Sequence, residues 1–283
     1  MKTLFLGSSG FVGSALLDVL ELDERFTILS RNPISTEYNN ARVLHGDIND
    51  SETLMRISTL GFERLIDCSW EALPSLSEAN NKMNLVSKKS LYKHLLEGGI
   101  KEINSFGSCL EYGSLTGLIS ESARGREVGN FGKVKLEILR EVENFGTPFR
   151  WFRPFYLIGT KQHENSLLNS AIKSIRLGID FSPKNPDASF DFIAVEDAVR
   201  GVESALKEPA CKGIINLGTG QSHSVNEMIN IVRRHYGLAE LEAGEAPGMR
   251  ADMHKLTSET GWNPQVPIFQ EVTRIILSKE ALS

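Results

Sequence analysis

The sequence predicts an α/β fold: a doubly wound parallel sheet with a smaller, interleaved C-terminal lobe that serves a substrate. Three observations carry this prediction. The chain opens with a strand, Lys2-Thr3-Leu4-Phe5-Leu6, that runs directly into a glycine turn and then into a helix with Ala15, Leu16, Val19 and Leu20 at helical spacing. Short apolar runs alternate with helical patterns through the first half, as in sheets covered by helices on both faces. After about residue 160 the alternation loosens.

The elements follow from these patterns in order. Strands are expected at 2–6, 26–30, 41–44, 63–68, 101–106 and 149–153, and helices at 11–22, 51–59, 78–97 and 130–145. Beyond them come a helix at 165–177, the loop Ser182-Pro183-Lys184-Asn185-Pro186 and a strand–helix unit from Phe190 to Val199. A further strand, Ile214-Ile215-Asn216-Leu217, ends in Gly218-Thr219-Gly220, and a helix starts near 224. The expected division is a nucleotide-binding domain over 1–160 and a mainly substrate-binding lobe over 161–283, with 190–220 returning to the first domain.

Bulk composition narrows the class. The chain has 283 residues, 41% hydrophobic and 24% charged, an ordinary balance for a globular enzyme. A net charge of −5 without Lys/Arg runs argues against nucleic acid. No apolar stretch approaches membrane-spanning length, so no membrane partner is expected. Cys68, Cys109 and Cys211 form an odd set without metal-ligand spacing, which suggests reduced thiols in a cytoplasm and no metal site.

The glycine turn, Gly7-Ser8-Ser9-Gly10-Phe11-Val12-Gly13, lies between strand and helix. In this context Gly7 allows the tight turn, Gly10 lets a pyrophosphate approach the backbone, and Gly13 lets helix and strand pack closely. The first N–H groups of the helix favour an anion, so Ser9, Phe11 and Val12 belong to the same expected dinucleotide site. The second strand ends Ser30-Arg31-Asn32 with no acid to accept from a ribose 2′-hydroxyl. Arg31 can pair with a 2′-phosphate and Ser30 can donate to it, so NADP(H) is expected, with NAD the alternative. Asp47 and Ile48, after the third strand, are expected at the adenine, and Cys68, Ser69 and Trp70, after the fourth, along the cofactor.

These residues resemble the extended short-chain dehydrogenase/reductase family, which includes nucleotide-sugar epimerases, dehydratases and 4-ketoreductases on a modified Rossmann fold. Gly7, Gly10 and Gly13 fit its GxxGxxG; Asn84 precedes Ser108 by 24 residues, as the family's helix asparagine precedes its catalytic serine or threonine. Ser108-Cys109-Leu110-Glu111-Tyr112-Gly113 is similar to its S-x-x-x-Y-G stretch, and Phe131-Gly132-Lys133-Val134-Lys135 sits at its Y-x-x-x-K. Arg153-Pro154, Asn216-Leu217-Gly218-Thr219-Gly220 and Gly261-Trp262-Asn263-Pro264 match later landmarks. The resemblance implies cofactor contacts from Asn84 and Lys135, substrate contact from Ser108, and a homodimer through the helices at 78–97 and 130–145. Tyr156 and Arg250 are expected at the nucleotide sugar, and the segment 178–186 at its base.

One position departs from the family. Phe131 stands where the family has the tyrosine that moves a proton to or from the sugar oxygen. A phenol is lowered into the working range by a lysine one helical turn away, which is why Lys135 belongs to the trio. The sequence leaves three readings: an inactivating replacement of the tyrosine, another acid such as Tyr112, or a nucleotide-binding regulator without catalysis. Dehydratases of the family carry an acid pair directly after the serine or threonine. Cys109 and Leu110 stand there, and Glu111 is one position off, on the opposite face. The expected reaction is NADPH-dependent reduction of a keto group on a nucleotide-activated sugar, as in deoxysugar synthesis, with a 4-epimerase as the alternative.

Overall fold

The computed structural model describes residues 1–32, 38, 40–242, 244 and 246–281. From the N-terminus, β1 (Thr3–Leu6), α1 (Phe11–Leu17), β2 (Phe26–Ser30), β3 (Arg42–His45), α2 (Ser51–Thr59), β4 (Arg64–Asp67), α3 (Glu78–Glu97) and β5 (Glu102–Phe106) follow one another. A single 3-10 turn, Cys109–Tyr112, and β6 (Gly117–Ile119) precede α4 (Asn130–Asn144), β7 (Phe149–Pro154) and β8 (Tyr156–Ile158). Then come α5 (Leu167–Arg176), β9 (Ser189–Phe190), β10 (Phe192–Ala194), α6 (Val195–Lys207) and β11 (Gly213–Leu217). The chain ends with β12 (His223–Ser224), α7 (Val225–His235), β13 (Met249–Ala251), α8 (His254–Thr260) and α9 (Ile268–Glu280).

The main sheet has the strand order β3-β2-β1-β4-β5-β7-β11, with every pair parallel. The order reverses between β1 and β4, and the crevice at the carboxyl ends of those strands is where open α/β sheets hold ligands. Alternate residues along β1 serve opposite faces, as the two-residue period requires. Leu4 packs with Leu65, Leu91, Ile103 and Trp151, whereas Phe5 packs with Leu16, Ile28, Val199 and Ile215.

Helix starts follow local chemistry. Asp50 caps α2 by accepting from the N–H groups of Glu52 and Thr53, and Ser77 caps α3 by accepting from Asn80. The helix expected at 11–22 is shorter: α1 stops at Leu17, and the chain closes over its end with the Val19 N–H on the Leu16 carbonyl.

The lobe is built around α5, α7 and α9, whose buried Ile172, Met228, Val232, Val272 and Ile275 share one core. Two small sheets, β10-β8 and β12-β9-β13-β6, connect it to the main body. Asp191, fully buried between β9 and β10, accepts from the N–H groups of Thr219, Gly220 and Ala251 and from the Thr219 hydroxyl. One carboxylate thereby ties the end of β11 to β13. Among the described residues, no helix is long and apolar enough to cross a membrane.

Candidate active site

The glycine turn is shaped by close approach. Gly7 has φ 84°, and a Cβ there would lie 2.7 Å from the Cys68 carbonyl carbon and the Ser69 nitrogen. A Cβ on Gly13 would lie 2.0 Å from the Gly7 oxygen, so the missing side chain at Gly13 lets α1 approach the end of β1, and that at Gly7 lets the segment after β4 approach the turn. Gly10 caps α1 with no side-chain bond, which leaves the N–H groups of Phe11 and Val12 without a side-chain partner. Ser9 is exposed beside them. Cys68 is half-buried in the crossing, and burial together with Asp67 pushes its thiol well up.

A cleft of about 80 Å³ opens beside this turn, lined by Gly7, Ser9, Ser30, Arg31, Asp47, Ile48, Ser69 and Glu71 among others. The structure thus gathers Gly7, Ser9, Ser30, Arg31, Asp47, Ile48 and Ser69 from the ends of four strands, whereas the expected Gly10, Phe11, Val12, Gly13, Cys68, Trp70, Asn84 and Lys135 are outside this lining. It also places Arg31 differently from the expectation. Its guanidinium pairs with Glu71 at 3.0 Å and lies 3.8 Å from Asp47, and the Ser30 hydroxyl donates to the Asn32 carbonyl at 2.8 Å. The Ser30 hydroxyl is thus committed locally, and Arg31 is engaged through Nη1 with its side chain 56% exposed. Asn84 has no bond directed into the cleft. Its amide clasps Glu71 from both sides, accepting from the Glu71 N–H (2.8 Å) and donating to the Glu71 carbonyl (3.2 Å) and to Asn80. Asn84 is therefore a positioning residue for the loop after β4.

Deeper in, Lys135, Phe131 and Trp70 form one cluster. The Lys135 ammonium donates to the Phe106 carbonyl at 2.7 Å and lies 3.7 Å from the centre of the Trp70 ring and 5.6 Å from that of Phe131. Trp70 and Phe131 meet edge to face at 5.2 Å. Burial, with Lys88 adding like charge, lowers Lys135 to about 7. Trp70 Nε1 is buried with no hydrogen-bond partner among the described residues. Ser108 follows Phe106 by two residues and caps the 3-10 turn that packs on α4, where the Gly132 Cβ position is 2.4 Å from the Leu110 carbonyl. Its hydroxyl accepts from the Leu110 N–H at 3.1 Å and keeps its own proton to donate.

Glu111 explains why Ser108 is held there. Its buried carboxylate accepts from the Ser108 N–H (2.9 Å), the Trp151 indole and Arg153 Nε (2.7 Å). Glu111 is thus consumed in structure. Tyr112 corrects one expectation. Its ring is fully buried, its hydroxyl donates to Asn216 at 2.7 Å, and burial pushes the phenol up to about 12. It cannot stand in for the missing phenol at Phe131.

A second space, about 630 Å³, opens in the lobe. Tyr156 lines it, with its ring 4.0 Å from that of Phe190, and residues 181–185 of the loop expected at the base line it too. Arg250 is not among the lining residues. It lies in β13 opposite Leu118 of β6, and both side chains are exposed.

Comparison with known proteins agrees with this fold. A model of the NAD dependent epimerase/dehydratase family matches residues 3–218. The chain belongs to that family. UDP-glucose 4-epimerase of Halalkalibacterium halodurans is 24% identical over 94% of this chain and 92% of its own. The dTDP-6-deoxy-L-talose 4-dehydrogenase (NAD(+)) of Aggregatibacter actinomycetemcomitans is 21% identical over 81% of this chain and 88% of its own. Among solved structures, UDP-glucose 4-epimerase of Thermotoga maritima with UDP-glucose superposes with a TM-score of 0.83 at 18% identity, covering both chains fully.

Sequence reasoning missed three features of this family member. Glu71 carried no motif, although it directly follows Trp70. The buried set of Lys88, Asp67, Ser69 and Tyr92, with Lys88 Nζ 2.6 Å from Asp67, orders the end of β4 and had no local signal. Phe190 and Phe192 face Tyr156 from a distant segment that had been read only as a strand.

Proposed function

We propose that this chain binds a nicotinamide dinucleotide in the crevice above β1 and β4 and a nucleotide-activated sugar in the adjoining lobe cavity. In this reading it is built to reduce a keto group of that sugar. One observation carries the reading. Phe131 and Lys135 of α4 lie with Trp70 of the loop after β4, and Lys135 donates to the Phe106 carbonyl at the end of β5, two residues before Ser108. The residues present fit the dinucleotide. Gly10 leaves the helix start uncovered by a side chain, the start of α1 offers unpaired N–H groups, and the orphaned Trp70 Nε1 offers a donor. When bound, the dinucleotide supplies the hydride.

The chain's own part is to bind, orient and handle the proton. Ser108 donates to the substrate oxygen. Lys135, held by the Phe106 carbonyl, is placed to charge-balance an oxygen that becomes an alkoxide. Phe131 has no proton to give, so the protonation step lacks its phenol. The relatives named for 4-epimerisation and for a dTDP-sugar 4-dehydrogenase support action at a sugar carbinol or ketone. We also infer a homodimer through α3 and α4, where Met83 and Val86 are exposed on α3; light scattering at micromolar concentration should report twice the chain mass.

The decisive experiment is Phe131→Tyr, assayed with reduced dinucleotide on a panel of UDP-, dTDP-, GDP- and CDP-linked 4-keto-6-deoxysugars. Restoring general acid catalysis should raise turnover by about a hundredfold to ten-thousandfold. If the unsubstituted chain already matches the variant, another acid operates. If neither form reacts and both bind only dinucleotide, a binding protein without catalysis replaces this reading.

A further inference from the structure

We propose that Glu71 makes this cleft select the dinucleotide that lacks a 2′-phosphate, by occupying Arg31. This rests on the reading that the cleft holds a nicotinamide dinucleotide.

Arg31 alone, at the end of β2, argues for a 2′-phosphate. Its partners reverse that argument. Glu71 comes from the loop after β4, on the other side of β1, and reaches across to the guanidinium at 3.0 Å. Its backbone is held at both N–H and carbonyl by Asn84, whose side chain is rooted in α3 and only 2% exposed. The position of Glu71 is therefore set by a buried amide. Asp47 adds a second carboxylate 3.8 Å from the same guanidinium, with its other oxygen already accepting from Asn49.

One guanidinium thus faces two carboxylates, and this wall carries a formal surplus of negative charge. A 2′-phosphate would have to share Arg31 with Glu71 and sit beside both acids. A ribose 2′-hydroxyl has no such conflict, because it can donate to a carboxylate. The acid that selects the unphosphorylated cofactor is usually expected at the end of the second strand. Here the chain supplies it from the fourth. Arg31 and Glu71 have side chains 56% and 25% exposed, so the discrimination is moderate and weakens with salt.

The test is calorimetric titration of NADH and NADPH into the intact chain at low and high salt. The unsubstituted chain should bind NADH more tightly. Glu71→Gln keeps the shape and removes one negative charge, and should tighten NADPH by about tenfold while changing NADH less than about threefold. Arg31→Ala should weaken NADPH binding less in the unsubstituted chain than in the Glu71→Gln background, where it cancels the gain. High salt should shrink the gain.

Tighter binding of NADPH by the unsubstituted chain would overturn the inference. So would an NADPH-to-NADH ratio unmoved by Glu71→Gln, or an equal effect of Arg31→Ala in both backgrounds. If the chain, folded by circular dichroism, binds neither nucleotide, the dinucleotide reading falls and this inference falls with it.

Discussion

The cleft beside the glycine turn and the lobe cavity are two differently built spaces. The cleft is narrow, about 80 Å³, and its wall is charged. Its residues come from strand ends that lie side by side because the parallel sheet puts them there. The cavity is about 630 Å³ and carries the Tyr156, Phe190 and Phe192 rings. It exists only where loop 181–185 and α5 meet β8 and β10, elements remote in sequence. In the cleft, geometry is imposed by backbone and one electrostatic balance. In the cavity it is imposed by side-chain packing. The two differ in what can break them: charge and Cβ atoms in the first, aromatic area in the second.

The largest expected effect lies deeper in, at the cluster beside the glycine turn. Phe131→Tyr should raise keto-sugar reduction by about a hundredfold to ten-thousandfold, read as turnover. A gain in kcat with unchanged dinucleotide affinity would show that both spaces were already formed and lacked only a proton carrier. A gain confined to affinity would mean that the Trp70–Phe131 contact, not the missing hydroxyl, limits the unsubstituted chain.

Tyr156→Ala separates the two spaces. The ring is half-buried and packs on Phe190 and Phe192, so its loss removes a stacking surface without touching the cleft. Affinity for a nucleoside-diphosphate sugar such as UDP-glucose should fall about tenfold, roughly 1.4 kcal/mol, while dinucleotide affinity stays within a factor of two. Equal losses for both ligands would show that the lobe and the cleft act as one unit. The same variant made at exposed Arg250, Arg250→Ala, serves as the comparison for an expected phosphate contact that lies outside the cavity lining.

The contrast also explains what the sequence disclosed. Strand β1, the glycine turn and α1 form one contiguous unit, and Gly7 and Gly13 announce a backbone crossing that no side chain would permit. The trio positions Ser108, Phe131 and Lys135 were legible because helical spacing and a fixed offset from the turn carry them. Arg31 was legible as a cation, but its partner was not. The Arg31–Glu71 pair spans two strands on either side of β1, and its geometry depends on Asn84 of α3. Tyr112 failed for the same reason. Nothing local says that its hydroxyl points at Asn216, 104 residues away. The cavity was the least legible, because Tyr156 and Phe190 meet only after two small sheets have formed.

A pH dependence is expected at Lys135, which sits at the end of β5 on the Phe106 carbonyl and over the Trp70 ring. The folded chain lowers Lys135 to about 7 from 10.5, chiefly because burial disfavours the ammonium, with Lys88 adding to it. The unfolded chain holds its proton up to the higher value. Between the two, the unfolded state binds more protons, so the contribution of Lys135 to stability rises with pH across that window. The rise from one proton cannot exceed about 1.4 kcal/mol per pH unit, and partial neutralisation by Glu111 and Asp67 holds it lower. Lys135→Met removes the titrating group while keeping the length of the side chain. Urea unfolding of both proteins from pH 7 to 10 should show a steeper increase for the unsubstituted chain, with the variant's relative advantage greatest at the acid end. Parallel curves would mean that Lys135 keeps its proton throughout, held by the Phe106 carbonyl and the Trp70 face. A phenol introduced at Phe131 would then meet a permanently charged neighbour.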